Sequence, residues 1–367
     1  MIPIAKPLIG DEEQREVARV LGSGSLAQGP EVAAFEAEFA AFCGTKHALA
    51  TTNGTTALHL ALLAAGVGPG DEVITTPFSF FASASSIRMA GAKPVFVDLE
   101  RDGYCLDPMA VVAAITPRTK AVMPVHLYGE LCDMDALREA CDAVPIIEDA
   151  CQAHGADAGG RAGSHGLAGC FSFYPTKNMT TGEGGMVTPD DDDVAAAVAQ
   201  LRAHGQGERY EHLQLGFNYR MTELQAALGL SQMSRLSTFV AHRLELAKRY
   251  DLLLADSDFE RPLLDTDDNL SSWHLYVIRL PEGSGPLARR HLFEKLRSDG
   301  IGVNVHYIPV TRQPFYRKLG FVPDRFPVAE NYYERAISIP LYHDMTKSQQ
   351  DTVVKCLLEP AGYQTIF

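Results

Sequence analysis

Paired cysteines, long apolar runs and an excess of positive charge are all missing from this 367-residue chain. The seven cysteines, at 43, 105, 132, 141, 151, 170 and 356, are odd in number and never spaced CxxC. That argues against a disulfide framework and a zinc site, and predicts reduced thiols and no metal. No stretch reaches the roughly 20 apolar residues of a membrane span. The start, Met1-Ile2-Pro3-Ile4-Ala5-Lys6, is not a basic segment followed by an apolar run. A cytoplasmic chain with no membrane contact is the expectation. The formal net charge of -14 argues against nucleic acid and anionic lipid, because both need a positive surface. An anionic small ligand would need a local basic site.

What the chain does have is apolar content and alternation. Hydrophobic residues make up 46%, enough for a sizeable core. The length fits one large and one smaller domain. Short apolar runs predict strands at Glu72–Thr76, Pro94–Asp98, Ala121–Val125, Pro145–Asp149, Cys170–Phe173 and Met186–Thr188. Helical spacing between several of them, as at Met134–Ala143, predicts a mostly parallel sheet with helices on both faces. Ligands of such sheets bind beyond the carboxyl ends of the strands. Arg220 to about Ala255 reads as one or two long helices. Beyond Pro262 a small α+β domain is expected, with strands at Trp273–Leu280 and Ile301–Val305. Its helices are placed at Leu287–Ser298 and from about Lys347 onward. The division expected is 1–240 and 241–367, with 1–12 as an arm.

Three motifs carry chemistry. Asn53-Gly54-Thr55-Thr56 opens an apolar helix, whose first N–H groups suit either a phosphate or an ordinary asparagine cap. Pro145-Ile146-Ile147-Glu148-Asp149 is a strand ending in two acids. Asp149 reads as a helix cap or as the partner of a protonated ring nitrogen. Phe171-Ser172-Phe173-Tyr174-Pro175-Thr176-Lys177 then precedes the glycine-rich Gly182-Glu183-Gly184-Gly185. Desolvation of Lys177 there would lower its pKa and make it nucleophilic. Ser172 reads equally as a core serine. The order is a Gly-Thr helix start, an acid at a strand end, and a lysine 28 positions later. That order resembles the layout of fold type I pyridoxal-phosphate enzymes.

The sequence resembles the DegT/DnrJ/EryC1/StrS family of sugar aminotransferases over nearly its full length. Gln28-Gly29-Pro30, Asn53-Gly54-Thr55, Asp71 to Pro77, Glu148-Asp149-Ala150 and the Lys177 loop carry the resemblance. Gly216-Phe217-Asn218-Tyr219-Arg220-Met221, Gln225-Ala226-Ala227, Val305-His306-Tyr307-Ile308-Pro309 and Ser338-Ile339-Pro340-Leu341 extend it. The last third especially resembles transaminases of pseudaminic acid biosynthesis, which act on a UDP-linked 4-keto hexose.

The resemblance implies an aspartate-aminotransferase-like α/β fold and pyridoxal 5′-phosphate as cofactor, with pyridoxamine 5′-phosphate (PMP) as its aminated form. It makes Lys177 the Schiff-base lysine and Asp149 the partner of the pyridine nitrogen. Gln152 matches the contact to the phenolic oxygen, and Phe80 the stacking aromatic. Gly54, Thr55 and Ser172 match the phosphate contacts. Asn218 matches a residue that reaches the neighbouring subunit's cofactor, which implies a homodimer. His306, Tyr307 and Arg220 are substrate candidates, for a nucleotide-linked sugar and L-glutamate. Thr180-Thr181-Gly182-Glu183-Gly184-Gly185 resembles loops that accompany amination at C4 of a 4-keto-6-deoxy hexose. Ser85 and Glu130 depart from the usual Asn and Gln, and the segment before Gly216 is shorter than in close pseudaminic-type sequences.

A keto-cyclitol or 3-keto sugar is the alternative substrate. A sensor that keeps the cofactor fold without turnover is the non-enzymatic alternative. Dehydratases of the family carry histidine where this chain has Lys177. A cysteine desulfurase would need a mobile reactive cysteine, and Cys356 falls in an expected helix. The cationic set Arg312, Arg317 and Lys318 reads either as an offset for a nucleotide diphosphate or, more readily, as a solvated helix face.

Overall fold

The computed structural model describes residues 1–101, 103–208, 210–262 and 270–359. The strands are β1 Leu49–Thr51, β2 Glu72–Thr75, β3 Lys93–Phe96, β4 Thr119–Met123, β5 Ile147–Asp149, β6 Ala168–Ser172, β7 Gly185–Thr188, β8 Tyr276–Arg279 and β9 Ala336–Ile339. The first helices are α1 Asp11–Ser23, α2 Pro30–Cys43, α3 Gly54–Ala64, α4 Phe81–Met89, α5 Pro108–Ala114 and α6 Met134–Cys141. Then come α7 Asp192–Leu201, α8 Glu223–Met233, α9 Leu236–Leu253, α10 Pro286–Ser298, α11 Pro314–Lys318, α12 Pro327–Arg335 and α13 Lys347–Leu358.

The ladders run β3-β2-β4 and β5-β6-β7-β1. Parallel bridges Val122↔Ile146 and Val125↔Asp149 join β4 to β5, so the two sets form one surface. Pairing is parallel except at β7, which is antiparallel to β6 and β1. Successive strand residues enter opposite cores, as the pleat requires. Val73, Ala121, Ile147, Cys170 and Val187 pack with α3, α4 and α7. Ile74, Val122, Phe171 and Met186 pack with α2, α5, α6 and α8. The sheet buried on both faces explains why its strands read as near-continuous apolar runs. The fold is α/β, as expected.

Several boundaries differ from the sequence reading. β4 stops before Pro124, which has no N–H to continue the ladder. Trp273 has φ +49 and breaks the expected Trp273–Leu280 run, leaving β8 from Tyr276. That bend lies against Gly129, where a Cβ would sit 2.8 Å from the backbone nitrogens of Trp273 and His274. Ile301–Val305 is not a strand. Only isolated bridges Ile2↔Ile301 and Asn304↔Ser338 form there, and Ile301 and Val303 are buried without a ladder. The Arg220–Ala255 run is two helices, α8 and α9. Leu236 belongs to the sheet's core, while Leu246, Ala247 and Tyr250 lie in the core built on β8, β9, α10 and α13. A further cluster joins Phe78, Phe96, Leu127 and Tyr128 to Leu275, Val310, Tyr316 and Tyr332. Ile2 and Ile4 lie along the C-terminal part, through Gly302 N–H to Ile2 O at 2.7 Å and Leu341 N–H to Ile4 O at 3.2 Å.

Candidate active site

The carboxyl ends of β2, β5 and β6 converge with the start of α3. Asp149, the last residue of β5, is buried. Its Oδ2 accepts the Ser83 hydroxyl at 2.6 Å, and its Oδ1 accepts the Cys151 N–H at 3.2 Å. Ser79 and Ser83 hydroxyls are 2.8 Å apart. Glu148, one residue earlier, faces the opposite side. Its carboxylate accepts His126 Nε2–H at 3.0 Å and the N–H groups of Gly163, His165 and Gly166 at 2.7–2.8 Å. Of the two acids, Glu148 therefore ties down the 163–166 turn, and Asp149 faces the convergence point.

Lys177 sits in the turn after β6. Its N–H bonds to Tyr174 O at 2.9 Å, and Thr180 Oγ1 donates to Phe173 O at 2.8 Å. Burial lowers the Lys177 pKa below its ordinary value, while the nearby Cys151 and Asp149 oppose the shift. Three histidines share this environment. Burial, with Lys177 adding to it, lowers His154 to about 3 and His306 to about 4, and pushes His274 down as well. All three are neutral at pH 7. Among the described residues, the ring nitrogens of His154 and the Nδ1 of His274 are buried without a side-chain or backbone partner at hydrogen-bonding geometry.

α3 starts at Gly54, capped by Asn53, whose Oδ1 accepts Thr56 N–H at 3.0 Å. The N–H groups of this first turn have no carbonyl of their own helix to bond. A Cβ on Gly54 would lie 2.7 Å from Ser172 Cβ and 2.9 Å from Cys151 Sγ. Glycine thus lets the helix start approach the end of β6, where Ser172 is half-buried. Thr55 is half-buried beside it.

Phe80, just before α4, is 57% exposed, and its ring lies 5.8 Å from the Tyr307 ring. An aromatic face is thus available to a planar ligand. Gln152 Nε2 donates to the Tyr307 phenol at 3.0 Å, and its Oε1 accepts Tyr128 N–H at 3.0 Å. His306 Nδ1 lies 2.7 Å from Ser338 Oγ, and Asn304 Nδ2 donates to its Nε2 at 3.1 Å.

Asn218 and Arg220 flank Tyr219, whose carbonyl accepts the Thr52 N–H at 2.9 Å. Both are exposed, with Arg220 Nε 3.4 Å from Asn218 Oδ1. Their segment is tied beside β1 by the Thr51↔Arg220 bridge. Arg312 is not a free cation: it pairs with Glu330 and with Glu334 at 3.1 Å. The residues missed in the sequence are Ser79, Ser83, Tyr128, His154 and His274. Ser79 and Ser83 carried a signal, two hydroxyls four apart at a helix start. A cavity of about 380 Å³, lined by Glu100, Cys105, Glu130 and Cys132 among others, shares no lining residue with the Lys177 cluster.

An amine of lowered pKa, a buried carboxylate, an aromatic face, and a helix start beside a serine hydroxyl fit a phosphorylated pyridine aldehyde. The Gly54 contact supports it, since the absence of a side chain there lets the free N–H groups at the start of α3 lie against Ser172.

The comparisons agree. The DegT/DnrJ/EryC1/StrS aminotransferase family matches residues 7–358. The chain is 42% identical to the spore coat polysaccharide biosynthesis protein SpsC of Bacillus subtilis, over 97% of this chain and 96% of that protein. It superposes on Spr1654 of Streptococcus pneumoniae in its PMP form with TM-score 0.94 and 31% identity, covering 97% and 96% of the two chains. PseC of Helicobacter pylori, an aminotransferase of pseudaminic acid biosynthesis, gives TM-score 0.91 at 30% identity over 97% and 98%. Among the described residues, no helix is long and apolar enough to cross a membrane. The chain belongs to the DegT/DnrJ/EryC1/StrS aminotransferase family and is a pyridoxal-phosphate-dependent sugar aminotransferase.

Proposed function

We propose that Lys177 holds the cofactor and that the protein moves an amino group from L-glutamate to a nucleotide-linked 4-keto-6-deoxy hexose. The observation that carries this is Lys177 itself, an amine of burial-lowered pKa beside the buried Asp149. Gly54, Thr55 and Ser172 hold the phosphate, Phe80 covers the ring face, and Gln152 meets the phenolic oxygen. Asp149 keeps the ring nitrogen protonated. The bound cofactor supplies an electron sink for the donor's α-carbon. With the cofactor and donor bound, Lys177 Nζ would be the group that takes the proton from that α-carbon and carries it during the transfer. His306 and Tyr307, neutral and half-buried at the rim, contact donor or sugar. The exposed Asn218, with Arg220 beside it, is suited to reach the cofactor phosphate of a second subunit in a homodimer. The sequence of the 180–185 loop favours C4 over C3.

An absorbance spectrum of the holoenzyme tests this reading. Glutamate should bleach the lysine-bound cofactor band, and one nucleotide 4-keto sugar should restore it. A 3-keto sugar or a keto-cyclitol restoring the band instead would replace the substrate assignment. A band that glutamate leaves untouched would rule out glutamate as donor.

A further inference from the structure

We infer that Ser83 is a positioning residue for the cofactor, holding the Asp149 carboxylate in one orientation, with Ser79 acting behind it. The inference rests on the reading of Asp149 as the partner of the pyridine nitrogen. The Ser83 hydroxyl has one proton, and a carboxylate has none to give, so the 2.6 Å contact is Ser83 donating to Asp149 Oδ2. Ser83 Oγ is then an acceptor toward Ser79, 2.8 Å away, and Ser79 must be the donor. Both serines are buried, so water does not substitute for either hydroxyl. The result is a one-way relay, Ser79 to Ser83 to Asp149, completed by the Cys151 N–H on Oδ1.

Two donors, one on each oxygen, fix the rotation of the carboxylate. Asp149 then presents one fixed oxygen geometry to the ring nitrogen, whose protonated form the electron sink needs. The same helix start sets both the ring face and the carboxylate. Phe80 precedes α4, Ser83 lies in its first turn, and Ser83 N–H bonds to Phe80 O at 3.2 Å. Displacing α4 would move both together.

The test uses full-length protein loaded with pyridoxal 5′-phosphate carrying ¹⁵N in the ring. The wild type should show a pyridinium-type ring shift. Ser83→Ala should move it toward the unprotonated value and weaken cofactor binding by about tenfold. Ser79→Ala, which leaves Asp149 untouched, should shift both readouts the same way by less. Ser83→Thr, which restores the hydroxyl, should return both toward wild type. Thermal unfolding of the cofactor-free variants reports any loss of fold. Wild-type values in Ser83→Ala would overturn the inference, as would wild-type values in Ser79→Ala should Ser83→Ala not fold. A wild type that takes up no cofactor would remove the Asp149 reading and this inference together. Normal uptake with unmoved serine variants would remove the inference alone.

Discussion

Gln152 and Tyr307 bond across the site, Nε2 to the phenol oxygen at 3.0 Å, from opposite parts of the chain. Gln152 follows β5, and Tyr307 belongs to the segment between α10 and α11. A second link runs back, because the Tyr128 phenol donates to His306 O while Tyr128 N–H donates to Gln152 Oε1. The 306–307 segment is therefore placed by residues at the sheet edge.

Tyr307→Phe removes the acceptor for Gln152 Nε2 and leaves a buried amide donor without its partner. The cofactor-free protein should lose about 1 kcal/mol in denaturant unfolding. Cofactor affinity should hold or tighten, since Gln152 no longer has a competing partner. Loss of cofactor binding would show that Tyr307 touches the cofactor directly.

Lys177 gives a pH-dependent prediction for the cofactor-free protein. Its folded pKa lies below the ordinary 10.5, so the unfolded chain binds more protons between those two values. Stability contributed by this position therefore rises with pH across that window. Lys177→Met, which cannot charge, should be more stable than wild type at neutral pH. The gap should shrink as pH approaches 10.5, the ordinary lysine value. Paired urea titrations at neutral and alkaline pH check this, and a gap that stays constant through the window would contradict the desolvation of Lys177.

How much of this was legible in the sequence follows from how local each signal is. Asp149, Lys177 and Gly54 sit in short strand-turn or turn-helix motifs whose chemistry is written within a few residues. Ser83 meets Asp149 across 66 positions, and Tyr128 meets His306 across 178. Such contacts exist only once the sheet has brought its strand ends together. Ile301–Val305 misled for a related reason: alternating Ile301 and Val303 read as a strand, yet core burial satisfies them without a ladder. The sequence reading singled out Asp149 and gave its neighbour Glu148 no role. The pleat separates them, sending one to the site and the other to the 163–166 turn.

Gly54→Ala tests the anion cradle. The added methyl would lie 2.7 Å from Ser172 Cβ and 2.9 Å from Cys151 Sγ, so the start of α3 must shift away from β6. Overpacking of this kind costs about 1–3 kcal/mol. Cofactor affinity should drop by at least about tenfold, because the helix N–H groups move off the phosphate. Equilibrium dialysis against pyridoxal 5′-phosphate measures it. Undiminished affinity would place the phosphate elsewhere.

Glu148→Gln separates structure from chemistry at the paired acids. All four groups facing the Glu148 carboxylate are donors, since Cys132 N–H occupies His126 Nδ1 at 3.2 Å and leaves Nε2–H to donate. An amide in its place must turn its NH₂ toward two of those donors. With no water to relieve the clash, the loss should be about 3 kcal/mol. Burial raises the Glu148 pKa, but the hydrogen bonds from His126 and from Gly163 N–H outweigh it and leave the value below the ordinary 4.5. A carboxylate with a depressed folded pKa contributes stability above its unfolded value, and loses it as pH falls through the folded one. The wild-type advantage over Glu148→Gln should therefore be full above pH 4.5 and narrow in more acidic solution. Turnover per folded molecule should remain at the wild-type level at neutral pH. Turnover that collapses in well-folded Glu148→Gln would mean that this acid, and not Asp149 alone, serves the reaction.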